Sequence, residues 1–167
     1  MGHIVIRSIT ISKAFVVPDV ALPSSDSGYK PVGDERAPGF DCEQAILFAD
    51  DLAASRFGDA EWAPILRKVI DAAGAAGGCL IEPAPQHVFP GSPRVTRHSV
   101  TVSRAFHVTD EDNDEYRQRM GPGRTREAAA VQLSQLTWGE LEDRLGTVLH
   151  ADLCCIERSA APEVFWA

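Results

Sequence analysis

Apolar and polar positions alternate along residues 9–17, with Ile9, Ile11, Phe15 and Val17 on one phase and Thr10, Ser12 and Ala14 on the other. A period of two predicts a strand with one buried face. Val100, Val102, Phe106 and Val108 repeat the pattern in the same phase. Ile4 and Ile6 fall out of phase with Ile9, which predicts a bulge near Arg7 or Ser8. Elsewhere the apolar spacing becomes helical. Trp62, Ile65, Val69 and Ala72 form a stripe at i, i+3, i+7 and i+10, and so do Trp138, Leu141, Leu145 and Val148. Thr125 is placed to cap a helix over residues 126–136, and Thr137 with Glu140 makes a capping box for a second helix ending near His150. In the first half, Asp41 caps residues 42–56, Gly58 ends that helix, and another runs from about Asp59 or Pro64 to Ala73. Pro64 suits only a first turn, which leaves the start open between the two. Short apolar runs at residues 79–82 and 153–158 predict closing strands.

These elements come twice. Residues 7–19 read RSITISKAFVVPD and residues 98–110 read HSVTVSRAFHVTD, with seven of thirteen positions identical. Chance supplies about one identity in such a window. The match continues downstream at offsets that fall from 91 through 84 and 76 to 75, which places the length differences in two connections. The expectation is an α+β fold of two tandem β-α-α-β units, residues 1–89 and 92–167, sharing one core as a single globular domain. Two helices between the strands of a unit return the chain to its starting end, which predicts antiparallel pairing. The sheet is expected to be mainly antiparallel, with the helices on one face and a pseudo-two-fold axis relating the copies. The Pro-rich stretch from Glu82 to Pro93 joins them.

Composition adjusts this picture modestly. The 167 residues are 44% apolar and 24% charged, ordinary values for a globular protein, which exclude a collagen-like or mostly disordered chain. A domain of this length buries roughly 70% of its extended surface. Sixteen Lys and Arg against 24 Asp and Glu give a net charge of −8, which argues against a duplex nucleic-acid binder. No apolar run reaches the ~18 residues of a membrane span, and the N-terminus has no signal-peptide pattern. Cys42, Cys79, Cys154 and Cys155 form no CxxC. Buried reduced thiols and a cytoplasmic location are therefore expected.

The residues with chemistry to offer are few. Asp110, Glu111, Asp112, Asp114 and Glu115 put five acids into six positions. Asp110, Asp112 and Asp114 match the opening of a calcium loop, but Glu115 stands where that loop needs Gly and Gly121 where it needs Glu. Two readings remain: solvated acids at the N-terminus of a helix over residues 116–120, or an acidic surface presented to a basic partner in imitation of nucleic-acid phosphates. Lys13 and Arg104 are equivalent in the two copies and share the apolar face, so each must snorkel, pair with an acid or meet an anion. Arg124, in the turn from Gly121 to Thr125, is a weaker anion-binding candidate at a helix start. The histidines show no metal-ligand spacing, and His98 and His107 should face opposite sides of their strand. Phe165 and Trp166 close an apolar tail that either docks on its own core or anchors a partner.

No catalytic motif, metal set or cofactor signature appears. The leading expectation is a non-catalytic, acidic, intracellular interaction protein that occupies a surface of a protein partner. An inhibitor or accessory factor encoded by a phage or mobile element fits this description. Asp110, Glu111, Asp112, Asp114, Glu115, Phe165 and Trp166 would carry the contact. One alternative is a small-molecule or anion-binding domain, or an enzyme, with its site at the junction of the repeats and Lys13, Arg104 and His107 lining it. Another is a structural subunit, down to a homodimer, associating through strand edges.

Overall fold

A computed structural model describes residues 1–17, 57–91, 94–158 and 161–167. The helix expected over residues 42–56, its Asp41 cap, Cys42 and the loop 23–39 lie outside the described residues. The fold is α+β. Its order is β1 (Gly2–Val17), α1 (Asp59–Ala76), β2 (Leu80–Pro83), β3 (His87–Phe89), β4 (Arg94–Thr109), α2 (Asp110–Met120), α3 (Arg126–Val148), a 3-10 turn (His150–Asp152), β5 (Cys155–Arg158) and β6 (Glu163–Trp166).

The strand phases follow from the alternation. Val5, Ile9, Ile11 and Val17 are buried on β1, and Thr96, His98, Val100, Val102 and Val108 on β4. Val5 shares the phase of Ile9, and β1 runs without interruption. The expected bulge near Arg7 is absent, because Val5 rather than the flanking Ile4 and Ile6 points inward. Arg7 therefore stays on the inward phase.

The sheet has six strands in the order β2-β4-β1-β5, with β3 added to β4 and β6 to β1. The pairings of β1 with β5 and β6, and of β4 with β2 and β3, are antiparallel. The central strands are antiparallel too. The Asp110 N–H donates to the Met1 carbonyl (3.2 Å), while Thr10 and Thr101 share a hydroxyl hydrogen bond of 3.0 Å, so contacts rise along one strand as they fall along the other.

It follows that β1 and β2 run in the same direction with β4 between them, and β4 and β5 with β1 between them. This is the split β-α-β arrangement. It corrects the expectation that the strands of one unit pair antiparallel with each other. Each closing strand pairs instead with the opening strand of the other half. The physical reason lies in α3: residues 126–148 form one helix of 23 residues rather than the two that would have returned the chain to its starting end.

The break expected at Thr137 does not occur. Ala130, Ser134, Trp138, Leu141 and Leu145 form one buried stripe straight through it, and Thr137 and Glu140 lie in the helix interior. The real divide between the two helices is the turn before Thr125, whose hydroxyl accepts from the Ala128 N–H (3.1 Å) as expected of an N-cap. Helix α1 starts at Asp59 and runs on to Ala76, so Pro64 lies in its second turn. Ala60, whose carbonyl loses its helical donor to Pro64, is exposed to water.

The chain forms two compact units. One comprises Met1–Ser12, Pro64–Pro83 and Val100–Ala167, the other Lys13–Ala63 and Ala84–Ser99. In the first, Val5, Val108 and Ala130 make a buried cluster joined by Phe106, Leu133 and Val164. In the second, buried His98 lies edge-on to Phe15 and beside Trp62, with ring centroids 5.4 and 5.8 Å away. Gly58 is required there: its φ is +86°, and a Cβ would sit 2.6 Å from the Phe15 ring.

Candidate functional site

The acid run lies inside α2 rather than ahead of it. Thr109 caps the helix, accepting from the Asp112 N–H (3.1 Å) and donating to the Asp112 carboxylate (2.7 Å). Acids in a first turn complement the helix dipole. Asp114 pairs with Arg126 (3.2 Å) and Arg117 (3.6 Å), Asp110 lies 3.9 Å from Arg126, and Glu115 is 2.8 Å from Arg119. Four of the five acids thus face an internal partner, and Glu111 is exposed. Three arginines, Arg117, Arg119 and Arg126, spread through the sequence after the run, offset the charge that made it conspicuous. Buried Asn113 was not signalled by the sequence. Its amide donates to the Arg126 carbonyl (2.7 Å) and ties α2 to the start of α3.

Lys13 and Arg104 make the same local contact in the two halves. The Lys13 Nζ lies 5.6 Å from the Phe15 ring centroid, and the Arg104 guanidinium 4.8 Å from that of Phe106. Each cation covers the aromatic two residues on, a geometry with modest cation–π stabilisation. Arg124 packs against Gly121, its N–H donates to the Gly121 carbonyl (3.0 Å), and its own carbonyl accepts from Arg117 (2.8 Å). The turn is closed by its own chain. Phe165 and Trp166 form part of β6, which docks on β1 through its backbone and places Val164 in the core. Their side chains remain 50% and 75% exposed, with the Trp166 ring 4.3 Å from that of His3.

Arg104, Asp112 and Glu115 come together with His107 around one groove of about 700 Å³. Residues Arg104 to Val108 form one wall, α2 a second through Tyr116 and Met120, and α3 a third through Leu133 and Leu136. Strand β2 pairs with β4 only from Val100 to Ser103. Beyond Ser103, the β4 edge away from β1 carries no strand among the described residues. Met120 and Leu136 are 69% and 65% exposed, large values for apolar side chains at a concave surface. The sequence named Arg104, His107, Asp112 and Glu115 of this site and missed Arg119 and the apolar members, because Leu136 and Met120 read as ordinary helix positions.

A second polar cluster was missed altogether. Arg7 reaches α3, donating from Nε to the Ser134 hydroxyl (2.7 Å) and from an Nη to the Val131 carbonyl (2.6 Å). Glu142, its side chain 6% exposed, lies 3.1 Å from the Arg158 Nε. Burial pulls the Arg7 pKa below its ordinary value, and the charge of Glu142 partly offsets that.

His98 and His107 do face opposite sides, the first buried and the second exposed. The His98 Nε2 lies 2.9 Å from the Phe57 carbonyl. The thiols correct the expectation of burial: Cys79 and Cys154 are half-buried and Cys155 is exposed. Burial pushes the Cys79 thiol pKa up, and nearby Arg104 partly offsets it. Among the described residues, no group of three or more His, Cys, Asp or Glu is placed to hold a metal ion. No described helix is long and apolar enough to cross a membrane. No protein-family model matches the chain, and no curated protein matches it.

Proposed function

We propose that this is a non-catalytic, acidic, intracellular interaction protein that occupies a surface of a protein partner through the groove beside β4. The carrying observation is that, among the described residues, no strand pairs with the β4 edge beyond Ser103, which borders a concave surface lined by exposed Met120 and Leu136. An unpaired edge offers main-chain hydrogen bonds, and a flanking apolar groove offers pockets for alternate side chains, the combination used in strand addition. Asp112 and Glu115 on the α2 rim favour a segment carrying Lys or Arg on that side. The partner's extended segment thus replaces the broad acidic patch as the recognised element.

The two halves are, in this reading, copies of one unit related by a pseudo-two-fold axis, with the helices on one face of the sheet. Thr10 and Thr101, equivalent in the repeat, bond to each other, as residues on such an axis must. Ser12 pairs with Cys155 and Leu80 with Ser103, and the offsets of 91 and 75 convert one pair into the other. Ile6 opposite Glu163 and His87 opposite Arg97 are related by offsets of 91 and 76. This aligns Val88 and Phe89 with Val164 and Phe165, an extension of the repeat that the sequence comparison had not reached.

Panning a random peptide library on the protein tests the function. Enriched peptides should alternate apolar residues, carry a basic residue, and shift backbone resonances of residues 104–108. The double variant Met120→Asp, Leu136→Asp, altered only at exposed positions, should lose them. Equal enrichment on wild type and variant, or shifts confined to another face, would overturn the proposal.

A further inference from the structure

Within the first compact unit, Arg7, Ser8, Gln135, Trp138, Glu142 and Arg158 line a cavity of about 240 Å³, distinct from the β4 groove. We propose that this cavity binds a small monocarboxylate that also carries a hydrogen-bond donor, of the α-hydroxy acid class.

The argument starts from Arg7. A guanidinium has five N–H donors in a rigid fork. Helix α3 takes one from Nε and one from an Nη, and the Ser134 hydroxyl that accepts from Arg7 donates its own hydrogen to the Val131 carbonyl (2.7 Å). The head group is therefore fixed from one side. Among the described residues its other Nη donates no hydrogen bond. A planar carboxylate matches that remaining end, accepting two parallel N–H bonds.

Charge points the same way. Two guanidiniums share the single carboxylate of Glu142, leaving one positive charge around a partly desolvated cavity. A monoanion neutralises it, whereas a dianion would leave an excess beside buried Glu142. Glu142 in turn offers acceptor oxygens for a ligand hydroxyl. Arg158, 68% exposed and extending from edge strand β5, forms the outer wall.

In the repeat read from the sequence, this set has no counterpart. The positions equivalent to Arg7, Glu142 and Arg158 are His98, Leu66 and Pro83. There His98 meets a backbone carbonyl with its ring nitrogen. The other ring nitrogen lies 3.8 Å from Asp59, so that site has one imidazole and one carboxylate where the other assembles two guanidiniums and a carboxylate around a cavity.

Titration of the full chain with L-lactate, at constant ionic strength, tests the assignment. Calorimetry and the Arg7 Nε–H and Trp138 indole resonances are the readouts. Lactate should give saturable shifts at both groups, and acetate, which lacks the donor, should bind more weakly. Arg158→Ala, with folding checked by circular dichroism, should weaken lactate about tenfold or more, whereas Glu142→Gln, which leaves two guanidiniums unopposed, should shift the preference toward inorganic phosphate. No saturable shift, an equal response to chloride, tighter binding of inorganic phosphate, or unchanged affinity in Arg158→Ala would each overturn the proposal. Because Met120 and Leu136 lie outside this cavity, their Asp variants should bind lactate normally, which separates failure here from failure of the peptide-groove reading.

Discussion

Arg7 is the residue at which alternation and chemistry conflict. It occupies an inward position on β1, between Val5 and Ile9, and resolves the conflict by reaching the Ser134 hydroxyl and the Val131 carbonyl. Reading Ile4 and Ile6 as inward made a bulge necessary; placing Arg7 inward makes it unnecessary. Lys13 and Arg104 settle the same difficulty differently, by covering their own strand's aromatic ring. Cys79 yields a pH prediction. Its folded pKa is raised by burial, so its contribution to stability is present below the unfolded value and is lost as pH rises through the folded one. That window opens above about pH 8.5. Urea denaturation between neutral and alkaline pH should show a loss of stability that Cys79→Ser reduces. Alkylation of Cys79 should slow further in Arg104→Ala, since removing the guanidinium removes the influence that lowers the pKa.

At the scale of elements, one threonine acts as a cap and another does not. Thr125 has extended backbone and accepts from the Ala128 N–H, whereas Thr137 lies inside α3 with a buried stripe continuing past it. Thr125→Ala should cost about 1 kcal/mol. Thr137→Ala should change stability by less than about 0.5 kcal/mol. Calorimetric unfolding of both variants checks the contrast, and equal losses would contradict a continuous α3. Both sites carry a plausible sequence signature, since Thr, Trp, Gly and Glu at residues 137–140 fit the capping box. Burial decides between them: breaking the helix at Thr137 would take Trp138, Leu141 and Leu145 out of line with Ala130 and Ser134. The acid run was misread for a related reason. Its length suggested free charge, but an α-helix brings Arg117 and Arg119 within reach at i+3 and i+4, and the turn brings Arg126 beside Asp110 and Asp114.

Across the whole molecule, the exchange of closing strands makes each half dependent on the other. Strand β2 pairs with β4, and β5 and β6 pair with β1. Residues 1–89 or 92–167 alone would leave β1 or β4 without its main neighbours and expose an apolar face. Expressed separately, neither fragment should unfold cooperatively by circular dichroism. Mixing the two should restore a cooperative transition. A fragment that folds alone would show that the exchanged pairings are dispensable.

The sequence by itself determined the α+β class, the strand phases over residues 9–17 and 98–108, and the Trp-containing helical stripes. These depend on local period, which a single chain carries openly. Only the tertiary structure decided which strand pairs with which, where the helices divide, and which charges neutralise one another. Those outcomes depend on contacts between residues far apart in sequence, such as Arg7 with Ser134 or Leu80 with Ser103. Burial makes the choice among local readings that are otherwise equally well formed.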